Sequence, residues 1–247
     1  MSDRFEFANA KVAVILGSNK GIGLAFAKEL SQNYPTLKIY GVHRIGSSSI
    51  ELSEIERVET VEMDIFDENQ VKSFISGLES VDLFINTVGF LHDNEIQPEK
   101  SLRDFSLESS LEVFKVNSLL TPVWAKYLKG ILSKSDPSLF LCLSAKVGSI
   151  EDNRIGGWYS YRASKAALNM MLKNISIEFE RYKLKTFVVA VHPGTTITDL
   201  SKPFISQTKY KLWQPIETAR NIIAAFQSQK TQESGIFLDW KGGHLPW

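Results

Sequence analysis

The sequence predicts an α/β protein, a three-layer, doubly wound parallel sheet of about seven strands. Two observations predict it. Short apolar runs rich in Val, Ile and Leu alternate with helix-length amphipathic segments along the chain. Such runs mark parallel strands covered on both faces. In addition, the first run passes directly into a glycine-rich turn and a helix start.

The runs are 11–17, 38–44, 58–64, 81–89, 138–144, 186–194 and 235–240. Helices are expected near 21–33, 67–79, 107–134, 158–183 and 216–229. Their alternation implies right-handed βαβ crossovers. Residues 47–53 and 91–106 read as extended loops, the second long enough to cover a site. No repeat, low-complexity tract or long linker interrupts the pattern, so one domain over residues 1–247 is expected.

Composition narrows the function. With 247 residues and 43% hydrophobic content, the chain can bury a full core. Its formal net charge is zero, and it has no basic block or acidic tail. That argues against nucleic acid or an anionic membrane as partner. The single Cys142 excludes an intramolecular disulfide, and its apolar neighbours make it a buried structural thiol. One cysteine and four scattered histidines offer no metal-ligand cluster. The opening ten residues are charged and lack a signal-type apolar stretch, and no run reaches membrane-spanning length. A soluble, cytoplasmic protein of a reducing compartment is expected.

Two patterns carry chemistry. The first strand runs into Gly17, Ser18, Asn19, Lys20, Gly21, Ile22 and Gly23, and then a helix. Free N–H groups at a helix start, with the helix dipole behind them, suit a pyrophosphate. The glycines are not spaced as G-x-G-x-x-G, and no P-loop Lys-Ser/Thr follows. A ligand-free turn is the alternative. The second pattern is Tyr161 and Lys165, four apart on one helical face. An ammonium beside a phenol favours the phenolate, so the Tyr161 pKa is expected to fall below ~10. Such a phenol could exchange a proton with a carbonyl or hydroxyl at neutral pH.

The glycine turn, Asn86 with Gly89, Asn117, the Tyr161–Ser164–Lys165 triplet and Pro193–Gly194 stand in a recognisable order and spacing. Over nearly its whole length the chain resembles the short-chain dehydrogenases/reductases. Residues 89–93, 148–150 and 245–247 resemble the C-factor-like, sniffer-type carbonyl reductase branch. The resemblance implies a Rossmann fold and an NADP(H)-dependent oxidoreductase reducing a carbonyl or oxidising the alcohol. It implies Tyr161 as general acid, and Lys165 as the group that tunes it and holds ribose hydroxyls. It implies Asn117 as a bend in its helix that anchors a relay water. It also assigns Gly17, Asn19, Lys20, Gly21, Ile22, Gly23, Asp64, Ile65, Asn86, Gly89, Pro193, Gly194, Thr196 and Thr198 to the cofactor, and the helices at 107–134 and 158–183 to a homodimer or homotetramer.

Cofactor choice turns on the second strand end. An acid there would bind a ribose 2′-hydroxyl, whereas this chain has Arg44, and Lys20 lies in the turn. Two cations favour NADP(H), with NAD(H) possible, unless both are merely solvated surface charges. Asp64 is equally a turn former. Asn117 is either functional or an ordinary capping residue.

Three departures and openings remain. Thr87 stands where the family has a second Asn, which puts part of that motif's sheet bonding in doubt. The family's catalytic Ser aligns with Ala145, one residue after Ser144. Ser144 reaches the substrate only if the strand end twists; otherwise another polar group substitutes, or catalysis is weak. Ser149 and Tyr159 are weaker alternates. Phe90, Leu91, His92, Trp158, Phe204 and Trp213 either line a pocket for a hydrophobic carbonyl compound or pack in the core or an interface. The rival reading is an NADP(H)-binding signalling or redox-sensing protein with vestigial catalysis.

Overall fold

The computed structural model describes residues 4–132, 136–206 and 209–247. Its strands are β1 (Val12–Leu16), β2 (Lys38–His43), β3 (Val58–Glu62), β4 (Leu83–Asn86), β5 (Ser138–Leu143), β6 (Thr186–His192), β7 (Thr195–Thr196), β8 (Leu212–Trp213) and β9 (Ile236–Asp239). Its helices are α1 (Gly21–Asn33), α2 (Ile50–Ser53), α3 (Glu68–Ser76), α4 (Leu107–Phe114), α5 (Leu120–Leu128), α6 (Tyr159–Arg181) and α7 (Pro215–Gln227). Seven strands form one parallel sheet in the order β3-β2-β1-β4-β5-β6-β9. Every one of the predicted apolar runs is a strand of it.

Strand alternation sorts the core into two layers. Ala13 and Ile15 of β1, with Leu83, Ile85, Leu139 and Leu141, pack against Phe26 and Leu30 of α1 and Phe226 of α7. Val14, Leu16, Phe84 and Phe140 face the other way, against Trp124 of α5 and Leu168 and Leu172 of α6. Successive side chains on a strand point to opposite faces, so a run with no polar alternation must be covered twice. Phe84 stacks on Trp124 with ring centroids 5.9 Å apart and meets Phe140 at 4.5 Å. The strand order reverses between β1 and β4, and a ligand crevice opens outside the carboxyl ends at such a point.

Two elements depart from expectation. The segment 107–134 is not one helix. A π-helical turn, Lys115–Leu119, separates α4 from α5 and is centred on Asn117; residues 133 and 134 lie outside the described residues. The wider turn lets Asn117 leave the helix face, and such turns gather at functional sites. The extended loops are also partly ordered. Ser49 caps α2, and a 3₁₀ turn, Leu102–Asp104, carries a Ser101–Asp104 capping box. Beyond β6, the short pair β7–β8 forms a second, two-stranded sheet.

Candidate active site

The glycine turn is built to keep backbone bare. Gly17 and Gly21 have φ of +77° and +57°, where a Cβ would be strained. A Cβ on Gly23 would sit 2.2 Å from the Gly17 carbonyl oxygen. Thr87 completes the packing: its hydroxyl donates to the Leu16 carbonyl at 2.7 Å, tying the end of β4 to the end of β1. Thr87 thus supplies a cross-strand bond at the position where the usual Asn is missing. Asn19 is half-buried, and the Ile22 side chain turns into the core. No side chain caps the start of α1, which leaves its first-turn N–H groups without a side-chain partner. That cradle fits a pyrophosphate, held by backbone N–H groups and the helix dipole.

Tyr161 and Lys165 lie on the first two turns of α6, 9% and 3% exposed. The Lys165 ammonium donates to the Leu143 carbonyl at 3.0 Å and stands 5.9 Å from the centre of the Tyr161 ring. Burial pushes the Tyr161 phenol up to about 12 and the Lys165 ammonium down to about 8. The expected fall of the Tyr161 pKa is therefore corrected. Removal from water opposes the phenolate, and the ammonium bonds to a backbone carbonyl rather than to the phenol.

Asn117 is buried and fully bonded. Its Oδ1 accepts from the Phe90 N–H at 2.8 Å, and its Nδ2 donates to the Phe90 carbonyl at 2.8 Å and to Ser164 Oγ at 3.0 Å. It clamps the chain leaving β4 onto the π turn. Ser164 in turn donates to the Tyr161 carbonyl at 2.8 Å, which explains the serine of the triplet. A Cβ on Gly89 would lie 3.7 Å from Lys165 Nζ and 3.8 Å from Asn117 Oδ1. Exposed Gly89 backbone, the ammonium and the amide thus converge. Asn86 also works locally: its Oδ1 accepts from the Val88 N–H at 2.9 Å, and its Nδ2 donates to Thr121 at 3.1 Å.

Ser144 is turned away from this convergence. Its hydroxyl is buried and donates to Asn169 Oδ1 at 2.6 Å, on the turn of α6 after Lys165. Ser149 instead donates to the Trp247 carbonyl at 3.2 Å, and Tyr159 is 38% exposed. Neither substitutes for the missing serine.

The segment after β6 lies across the crevice. Gly194, at φ +75°, fits beneath the Trp213–Trp240 pair, where a Cβ would meet Trp240 at 2.8 Å. Thr196 turns inward to Thr218 at 2.8 Å, whereas Thr198 packs opposite Gly21, 3.5 Å from where a Cβ would sit. Asp199 pairs with Lys20 at 2.8 Å, so the lysine expected to face a phosphate already holds a carboxylate. The side chain of Leu200 lies beside Gly89, and its carbonyl bonds His92 Nε2 at 3.2 Å. Phe204 meets His92 at 5.3 Å and Trp158 at 5.1 Å, and Trp158 meets Tyr161 at 6.1 Å. Of the expected pocket residues, His92, Trp158 and Phe204 form one wall beside Tyr161. Phe90 serves through its backbone, Leu91 is buried, and Trp213 packs on Trp240 away from the wall.

At the far end of the crevice Arg44 is exposed where β2 ends. Asp64 is exposed, and its carboxylate accepts from the Phe66 N–H at 2.9 Å, the bond of a turn former. Ile65 is buried, with its carbonyl bonded to Trp124 Nε1 at 3.1 Å. Pro193 is half-buried at the start of the crossing segment. Two open hollows of about 420 and 340 Å³ lie elsewhere, at the amino ends of β2 and β3 and between α1 and α7. Neither contains a site residue, so convergent chemistry rather than cavity size locates the site. Among the described residues no cluster of His, Cys, Asp or Glu could hold a metal, and no helix is long and apolar enough to cross a membrane.

Sequence reasoning missed Leu200 and Glu99, and named Ser164 without giving it a role. Glu99 reads as a loop acid, yet it is 4% exposed and bonded to the start of α6. Only its contact across some sixty positions reveals it, and no local signal carries that.

Fold and site together define a doubly wound α/β oxidoreductase with a tyrosine–lysine pair at the crevice edge. Residues 11–209 match the short chain dehydrogenase family, and the chain belongs to it. A Schizosaccharomyces pombe protein described as an uncharacterized oxidoreductase is 26% identical over 96% of this chain and 98% of its own length. The C-signal protein of Myxococcus xanthus is 32% identical over 42% of this chain and 58% of its own. Among solved structures, the carbonyl reductase Sniffer of D. melanogaster shares the fold with a TM-score of 0.83, at 21% identity over 96% of this chain and 99% of that one. The NADPH-bound carbonyl reductase from chicken fatty liver has a TM-score of 0.80, at 22% identity over 96% and 94%.

Proposed function

We propose that this protein is an NADPH-dependent carbonyl reductase acting on a small hydrophobic substrate, with Tyr161 as general acid. The observation that carries the proposal is the burial of Tyr161 and Lys165 together beside Gly89 and Asn117. Bound NADPH would supply the hydride. Gly17, Asn19, Gly21, Ile22 and Gly23 would offer backbone N–H groups to the pyrophosphate, and Arg44 would meet the 2′-phosphate. Asp64, Ile65, Asn86, Gly89 and Pro193 to Thr198 would line the rest.

A phenol pushed up to about 12 stays protonated at neutral pH, so Tyr161 is ready to donate to a carbonyl oxygen. Lys165, pushed down to about 8 by burial, would return that proton to the phenolate. Asn117 holds the Phe90 backbone at the crevice floor. His92, Trp158 and Phe204 favour an apolar or aromatic carbonyl compound over a charged one. The exposed apolar side chains of Leu107 and Leu111 on α4 support a homo-oligomer. The single buried cysteine suits a reducing, cytoplasmic setting.

A second reading is an NADP(H)-binding signalling or redox-sensing protein with weak catalysis. Ala145 and the Ser144 hydroxyl bound to Asn169 favour it. NADPH absorbance with a panel of aldehydes, ketones and diketones separates the two. Turnover by wild type and none by Tyr161→Phe is expected; no turnover by either, despite tight NADPH binding, would leave the second reading. Arg44→Ala is expected to lose preference for NADPH over NADH, and an unchanged preference removes Arg44 from the cofactor site.

A further inference from the structure

We infer that Glu99 is a positioning residue for the Tyr161 site: its buried carboxylate ties the loop after β4 to the first turn of α6 and so fixes Trp158 and Tyr161. The inference rests on the reading of Tyr161 as the proton donor.

The start of α6 cannot cap itself. Its N-cap is Trp158, with φ of +50° and no side-chain cap bond. An indole is only a donor, so it has nothing to offer the free N–H groups of the first turn. Glu99 supplies the acceptor from outside the helix. Its Oε2 accepts from the Ser160 N–H at 3.2 Å, and its Oε1 accepts from the Ser160 hydroxyl. The Glu99 backbone carbonyl accepts from the Trp158 N–H. One residue therefore grips the chain on both sides of Tyr159.

The grip extends to α4. Ser110 Oγ lies 2.7 Å from Ser160 Oγ. A hydroxyl has one proton, so with the Ser160 proton given to the carboxylate, Ser110 donates to Ser160 and shares that proton with the Ser106 carbonyl at 2.7 Å. Gly157, just before Trp158, has φ of +64°, a conformation that a side chain would strain.

A carboxylate with 4% exposure is costly unless its charge is met. Here two donors and the positive end of the 23-residue α6 meet it. A neutral surface loop would not need this arrangement. Its consequence is geometric: Tyr161 directly follows the gripped Ser160, and Trp158 packs on both Tyr161 and Phe204. Loss of the grip frees the proton donor and its aromatic wall together.

The test uses the full chain with Glu99→Ala, Glu99→Gln, Ser160→Ala and, for assignment, Trp158→Phe. Steady-state kinetics and NADPH titration give kcat, KM and Kd. Incorporated 5-fluorotryptophan, read by ¹⁹F NMR, reports the Trp158 environment without any turnover. Glu99→Ala is expected to lower kcat by roughly tenfold or more, since small misplacements of a reacting group cost that much. The NADPH Kd is expected to stay within about twofold, because the phosphate cradle is untouched. The Trp158 resonance shifts in Glu99→Ala. Glu99→Gln keeps an oxygen for the Ser160 N–H, so it retains most of kcat and the native resonance. If Glu99→Ala fails to fold, Ser160→Ala, which removes the hydroxyl bond to the carboxylate and keeps the N–H bond, is expected to lower kcat by a smaller factor and to move the Trp158 resonance in part.

A lower melting temperature with native kcat and an unmoved Trp158 resonance overturns the inference, as does a glutamine variant no better than alanine. If the wild type turns over no carbonyl compound, the functional reading fails, while the resonance still decides whether Glu99 holds Trp158.

Discussion

Replacing Lys165 with Met is expected to stabilise the fold while removing turnover. Burial moves the ammonium from an ordinary 10.5 to about 8. That gap is worth roughly 3 kcal/mol at ~1.36 kcal/mol per pH unit. The sign follows from proton counts. The unfolded chain keeps the Lys165 proton up to 10.5, whereas the folded chain releases it near 8. Between those values the unfolded state binds more protons, so stability rises with pH across the window. Below it, the full cost of a buried ammonium is present. Methionine matches the length of the stem and carries no charge, but leaves the Leu143 carbonyl without its 3.0 Å donor. That loss costs about 1–2 kcal/mol. The net gain at neutral pH is about 1–2 kcal/mol, a rise in Tm of about 2–8 °C for a chain this size. Urea unfolding of both proteins at several pH values from neutral to 10 measures the difference, in which other titrating groups largely cancel. The advantage of Lys165→Met should shrink as pH rises. A wild type as stable as the variant at neutral pH, or a gap independent of pH, refutes the argument.

Ala145→Ser is expected to raise kcat on a carbonyl substrate by roughly tenfold or more, since a missing donor to a developing oxyanion costs 10²–10³. An unchanged rate would show that no hydroxyl is needed there. Gly23→Ala would press a methyl against the Gly17 carbonyl oxygen at 2.2 Å. It should cost about 1–3 kcal/mol in thermal melts and weaken NADPH binding in a fluorescence titration. His192 is pushed down to about 4 by burial, with an unpartnered Nδ1. The unfolded chain gains that proton near 6.5, so stability falls as pH drops from 6.5 towards 4. The residue as a whole is half-buried, so His192→Gln should flatten the acid limb of the urea midpoint by only about 1–2 kcal/mol.

Much of the fold was legible along the chain. The central apolar runs became strands because their pattern demanded cover on both faces, as Val14 and Ile15 show by joining opposite layers, whereas β3 at the sheet edge leaves Glu59, Thr60 and Glu62 exposed. The glycine turn was legible because a bare backbone leaves a mark in residue type. The break at Asn117 was less so. Periodicity spans one extra residue without interruption, and the π turn is held by bonds to Phe90 and Ser164 from other elements. Thr87 could not be judged from its position alone, since its value lies in a bond to Leu16 across the sheet.

By itself the sequence determined the order of strands and helices, the phosphate-type turn and the spacing of Tyr161 and Lys165. These depend on local periodicity and fixed offsets within one segment. Tertiary structure alone decided the direction of the Tyr161 pKa, the bond of Ser144 to Asn169 and the capping of α6 by Glu99. Desolvation and long-range hydrogen bonds depend on which segments pack together, and no single stretch of chain records that.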